Sequence, residues 1–262
     1  MTQRMLAGKT GGCRQVAGVV IASILLLVHT VSLAAATGSD REQFMAAWNA
    51  ASKGDHSAFS HLPQSLAQYE LFPYLVYEDL RHRRAQIDPA IIASFLQQHS
   101  DWAFAGALRG AWLKSLGRQG RWNDLLQHFN GSNDTVLRCF HARALIETQQ
   151  QDGLLQEAQS LWTVGQSQPS ECDPVFTWLN DNDGITPVLA WERVRLAMQA
   201  GNPRFTLYLA RFIPAKERVW LRRWQELDRK RYRDLGKTAD WPDQELTRTI
   251  TAVSLQRLAG RD

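Results

Sequence analysis

From Asp40 onward the apolar residues recur at one interval only, that of an amphipathic helix, and this constrains the fold more than any other feature of the chain. Phe44, Ala47, Trp48 and Ala51 follow the spacing i, i+3, i+4, i+7, which returns in Trp122, Leu125, Leu126 and Phe129 and in Phe205, Tyr208, Leu209 and Phe212. Residues so spaced share one helix face, so each segment predicts a helix with a single buried stripe. A polar residue followed by proline predicts helix starts at Asp88-Pro89, Asp173-Pro174, Thr186-Pro187 and Asn202-Pro203, because the first-turn N–H that proline lacks has no intrahelical partner. Gly120, Gly165 and Gly201 stand just past periodic stretches, where a left-handed C-terminal cap favours a residue without a side chain. No stretch alternates apolar and polar residues between hairpin dipeptides, so no sheet is expected.

The helices are joined closely. Leu113 to Trp122 and Arg195 to Pro203 each pass from one helix to the next within a few residues, which forces antiparallel neighbours. Gly120, Gly153 and Gly201 open new helices at irregular intervals, so the reading is all-α: an irregular α-solenoid of helical hairpins over residues 37–262. An ordinary irregular bundle is the alternative, since the interval is too loose for a strict repeat. Ten tryptophans suit the gaps between packed helices.

Residues 1–36 read as an export signal. Arg4, Lys9 and Arg14 precede an apolar run from Val16 to Val31, and Ser32-Leu33-Ala34-Ala35-Ala36 offers small residues for cleavage after Ala34 or Ala36. The run is shorter than the roughly 20 residues a spanning helix needs, so contact with a membrane is expected only through this segment. Cys13 precedes the apolar run, the wrong side for a lipoprotein cysteine. The three cations lie in a stretch without acids. Without them 27 cations face 26 acids, and the basic balance that would suggest a nucleic-acid partner disappears. Export places the two remaining cysteines, Cys139 and Cys172, in an oxidising compartment, where they either pair or stay as small buried thiols on apolar helix faces.

Chemistry-bearing patterns are mostly missing. There is no CxxC, no HExxH and no GxSxG, and Gly8-Lys9-Thr10 lacks the earlier glycine of a phosphate loop. Cys139 and His141 are two apart and face different sides of a helix. No metal, no cofactor and no catalytic residue is expected. Asn130-Gly131-Ser132 and Asn133-Asp134-Thr135 mark an exposed loop. Glu78, Asp79, Glu147, Glu157, Glu171 and Glu192 are the acids a glycosidase would draw on by type, yet none stands out by spacing and each is expected on a solvated helix surface. Lys216 to Lys237 carries nine cations and four acids interleaved, and reads as a solvated face over a stripe of Trp220, Trp224 and Leu227 rather than a surface for an anionic polymer.

Three stretches resemble the amino-terminal helical part of the soluble lytic murein transglycosylases of Gram-negative bacteria. They are Leu71-Phe72-Pro73-Tyr74-Leu75-Val76-Tyr77, the run from Leu161-Trp162 through Gly165-Gln166-Ser167-Gln168-Pro169-Ser170-Glu171-Cys172-Asp173, and Leu189-Ala190-Trp191-Glu192-Arg193-Val194-Arg195 on to Asn202. The resemblance covers about residues 40 to 212 and fades into the charged tract beyond. It implies a U-shaped superhelix of short helices and a disulfide between Cys139 and Cys172. In the family, one glutamate protonates the glycosidic oxygen and then, as base, helps the muramoyl 6-hydroxyl close a 1,6-anhydro ring. That glutamate stands in a Glu-Ser pair, with Gly-Leu-Met-Gln and Ala-Tyr-Asn segments following. This sequence has no Glu-Ser pair, and Gly153-Leu154-Leu155-Gln156 resembles the second motif without its neighbours.

The lysozyme-like catalytic domain is therefore expected to be absent, as in a truncated or split gene product or a stand-alone helical accessory. The expectation is a periplasmic scaffold of a murein-cleaving enzyme, non-catalytic by itself. Its partners would be peptidoglycan glycan strands, bound weakly, and a separate catalytic domain or other periplasmic protein. The alternative is a helical protein-interaction module without a glycan role.

Overall fold

The computed structural model describes residues 38–260, so the export-signal reading of residues 1–36 and Cys13 lie outside the described residues. Among these residues there is no strand, and no helix is long and apolar enough to cross a membrane. Twelve α-helices follow one another among the described residues: α1 (Gly38–Ala51), α2 (Phe72–Arg83), α3 (Pro89–Gln98), α4 (Ala105–Arg118), α5 (Trp122–His128), α6 (Thr135–Glu147), α7 (Leu154–Trp162), α8 (Asp173–Asp181), α9 (Pro187–Gln199), α10 (Phe205–Leu209), α11 (Arg218–Arg229) and α12 (Glu245–Ala259). Short 3-10 turns fill several joints. Each helix packs chiefly on its near neighbours in the chain, as in α1 on α2, α4 on α5 and α6, and α7 on α8, with α12 folding back onto α9. This is the all-α solenoid expected from the periodicity, in the superhelical form the family resemblance implied, stabilised through nearest-neighbour interfaces.

The core is correspondingly divided. A small amino-terminal cluster joins Phe44, Ala47, Ala51, Leu66 and Leu75. A middle cluster is built around Leu96, Leu108, Trp112 and Leu116. The largest runs from Cys139 to Val253 and includes Trp162 and Trp224. Trp112, Trp162 and Trp224 are fully buried, and their indole N–H groups meet no acceptor among the described residues.

Several local expectations hold and others need correction. The Asp88 carboxylate accepts from the Ala90 N–H and the Thr186 hydroxyl from the Leu189 N–H, each ahead of a proline at the helix start. Asp173 is instead the first helical residue, because the 3-10 turn Ser170–Cys172 has already begun the winding. Asn202-Pro203 sits in a turn, and α10 begins only at Phe205. Gly120 and Gly201 take positive φ, 68° and 74°, just past α4 and α9, as left-handed caps require. Gly165 has no positive φ. A Cβ there would lie 2.6 Å from the Leu196 carbonyl oxygen, so its glycine serves a close backbone approach and not a cap. The stripe at Phe205, Tyr208, Leu209 and Phe212 is also incomplete: Thr206 and Leu209 are buried while Tyr208 is exposed, because α10 has five residues and gives way to a 3-10 turn.

Two of the stretches that carry the family resemblance pack on each other. Arg193 on α9 is buried, with its guanidinium 4.4 Å from the Trp162 ring and 4.8 Å from that of Phe205. It donates to the carbonyls of Val164 and Gln166, so it pins the segment around Gly165 against α9. Burial without a carboxylate partner pulls its guanidinium down to about 10. Cys139 and Cys172 form a disulfide that ties α6 to the turn before α8.

Candidate functional site

The six acids singled out in the sequence are scattered over four helices and a turn. Glu78 and Asp79 correct the expectation of a solvated surface: both are buried on α2. Arg81 donates to Glu78 through Nε at 2.9 Å and a terminal nitrogen at 2.6 Å. Asp79 accepts from Arg83 on the next turn and lies 2.8 Å from His56 Nδ1, a contact that ties the 3-10 turn His56–His61 to α2. Burial pushes the Asp79 carboxyl up, but the hydrogen bonds from Arg83 and His56 outweigh it and leave the group below its ordinary value. Glu157 on α7 is gripped in bidentate fashion by Arg138 of α6, and Glu147 is exposed beside Arg143. Glu171 is half-buried in the turn before α8.

Glu192 lines a cleft. The face of α9 formed by Val188, Trp191, Glu192 and Arg195 looks across at Lys216, Glu217, Trp220 and Trp224 of α11 and the turn before it, and Gln244, Glu245, Leu246 and Thr249 close the end. The cleft has a volume of about 640 Å³. Its walls are fixed by internal bonds. Trp191 Nε1–H donates to Glu217 at 2.8 Å, Arg195 makes two hydrogen bonds to Glu192 at 2.7 and 2.6 Å, and the Gln244 backbone N–H donates to the Thr247 hydroxyl at the start of α12. Trp220 packs against Trp241 at 5.3 Å, with the Arg223 guanidinium 4.5 Å from its ring.

A carboxyl that donates a proton near neutral pH must be raised by burial or by a like charge. Glu192 is shifted the other way, because hydrogen bonds from Arg195 favour its ionised form. The arrangement suits binding rather than proton donation. No group of His, Cys, Asp and Glu among the described residues could hold a metal ion. Sequence reasoning missed Trp191, Glu217, Trp220, Gln244 and Glu245 as neighbours. The one available signal was that Val188, Trp191, Glu192 and Arg195 fall at i, i+3, i+4, i+7, with a polar-aromatic face where a core stripe would be apolar.

Fold and cleft define a class first: an all-α superhelical array with a mixed aromatic and charged groove. Within that class the chain is similar, in sequence and in fold, to soluble lytic murein transglycosylases. It is 27% identical over 192 residues to the soluble lytic murein transglycosylase of Escherichia coli K12, a match that takes in 73% of this chain and 30% of that protein. The lytic transglycosylase Slt of Pseudomonas aeruginosa, solved as an inactive mutant, superposes with a TM-score of 0.71 at 26% identity, covering 85% of this chain and 36% of the other. The 70-kDa soluble lytic transglycosylase of Escherichia coli shares the fold with a TM-score of 0.72 at 24% identity, over 87% of this chain and 37% of that one. The chain thus spans about a third of the length of the proteins it matches. No protein-family model matches it.

Proposed function

We propose that this chain is the helical scaffold portion of a periplasmic murein-cleaving transglycosylase and does not cleave glycan by itself. The observation that carries the reading is the joint match in sequence and fold to soluble lytic murein transglycosylases, over a region in which the resemblance stretches around Gly165 and Arg193 hold each other in place. The non-cleaving part rests on the acids. Glu78, Asp79, Glu147, Glu157 and Glu192 are each engaged by an arginine, and the shifts found at Asp79 and Glu192 favour the charged form. A lytic transglycosylase needs an acid that stays protonated until the glycosidic oxygen takes the proton. Its scaffold needs only shape, and a superhelix supplies an extended concave surface along which a polymer or a partner domain can lie.

The experiment is a digest of purified murein sacculi with the purified chain, read by chromatography against a complete lytic transglycosylase. No 1,6-anhydromuropeptide is expected from this chain. Anhydro products that vanish in the Glu192→Gln or Glu78→Gln variant would overturn the reading and locate an active site in the helical array.

A further inference from the structure

The cleft between α9, α11 and α12 has features that scaffolding does not require. Its apolar lining is chiefly indoles, Trp191, Trp220 and the fully buried Trp224, with the aliphatic Val188 and Leu246 beside them. The first two rings are held before any ligand arrives, Trp191 by its bond to Glu217 and Trp220 by Trp241 and Arg223. Rings fixed in advance lose little entropy on binding. Beside them the Glu192–Arg195 pair offers carboxylate oxygens and guanidinium N–H groups in one rigid unit, which suits a hydroxyl that both donates and accepts.

Charge narrows the ligand further. Three carboxylates, Glu192, Glu217 and Glu245, share the lining with two cations, Arg195 and Lys216, so neither a polyanion nor a polycation is favoured. An amphipathic helix would need a row of apolar pockets at helical spacing, which three indoles and two aliphatic side chains set among five charged groups do not provide. The volume falls within the roughly 300–1,000 Å³ of small-ligand clefts. We propose that this cleft binds a neutral oligosaccharide, whose ring faces lie on the Trp191 and Trp220 indoles and whose hydroxyls bond the Glu192–Arg195 pair. The site stands on its own geometry, whether or not the array serves a murein enzyme.

The test is a titration of the full chain followed through its indole N–H resonances by NMR. The probes are the neutral trimer of N-acetylglucosamine, its cationic de-acetylated counterpart, an anionic trigalacturonate and an amphipathic peptide. The neutral trimer should shift the Trp191 and Trp220 signals with a dissociation constant on the order of 1 mM, about equally in low salt and in 0.5 M sodium chloride. Trp220→Ala should weaken binding about tenfold, and so should Glu192→Gln, which alters a partly exposed group and leaves the fold intact. No shift of either indole up to about 10 mM overturns the proposal. So does tighter binding of a charged trimer or of the peptide, or unchanged affinity in Glu192→Gln. A cleft that binds sugar in a chain that also cleaves murein would refute the scaffold reading and leave this one standing.

Discussion

The two ends of the array are held by different means. At the amino end, five buried residues from α1, α2 and the turn between them form a separate small cluster, and the charges of α2 supply links that the core does not: Asp79 reaches His56 and Arg83, and Glu78 reaches Arg81. From α6 to α12 a single cluster of twenty-one buried residues runs through the structure, crossed by a disulfide and wedged by Trp162 and Trp224. In a solenoid each unit answers mainly to its neighbours, so stability can be uneven along the chain. The difference teaches that this fold has a firm carboxyl-side body and a more loosely held amino-terminal approach to it.

The largest test removes the cross-link. Replacing Cys139 and Cys172 together by Ala should cost about 3–4 kcal/mol, the loop-closure value for their 33-residue separation. Urea unfolding followed by hydrogen exchange would check it. If α6 to α12 then open as readily as α1 and α2, the contrast came from the bond and not from the core. A smaller effect sharpens the account of the packing. Gly165→Ala should destabilise by about 1–3 kcal/mol, since its Cβ meets the backbone of Leu196. Gly110→Ala in α4 meets nothing closer than 4.0 Å and should stabilise by about 0.5–1 kcal/mol in the same melts.

The smallest effect is acid. Burial holds His128 and His141 below their ordinary value of 6.5, so the unfolded chain takes up protons first. The stability they confer is complete above about pH 6.5 and is lost as pH falls through their lowered folded values. Asp79 is also lowered, from 3.8, but as a carboxylate it loses its contribution only below that value. Stepwise acidification read by hydrogen exchange should therefore loosen α5 and α6 before α2. The reverse order would mean that the ion pairs around Asp79 are the weaker part.

Much of the architecture was legible because it is local. Caps at Asp88 and Thr186, left-handed glycines at 120 and 201, and the stripe of α1 follow from the chain's own covalent geometry, and the structure repeats them. Gly165 misled because its constraint comes from Leu196, thirty-one positions away, and nothing in its neighbours records that approach. Glu78 and Asp79 read as surface acids although Arg81, His82 and Arg83 stood three and four positions on, the spacing at which a helix lets a buried carboxylate keep its charge. The pairing of Cys139 with Cys172 was favoured by export and by the even count of two remaining cysteines, the family resemblance implied the same bond, and the structure holds it. The cleft was hardest to foresee. Its three walls are separated by up to sixty residues, and only the tertiary return of α12 onto α9 brings Gln244 and Glu245 to Trp191.

The three buried tryptophans with idle N–H groups have an optical consequence. An indole sealed from water and from hydrogen-bond acceptors emits at the blue end of its range, and Trp112, Trp162 and Trp224 are all of this kind. They sit in the middle and carboxyl-side clusters, whereas the amino-terminal cluster has only the partly buried Trp48 at its margin. The blue end of the protein's glow thus reports on the middle and carboxyl-side clusters, while an amino end come undone would show itself through Trp48 beside Phe44 and Trp102 beside Tyr74, as emission drifting toward the red.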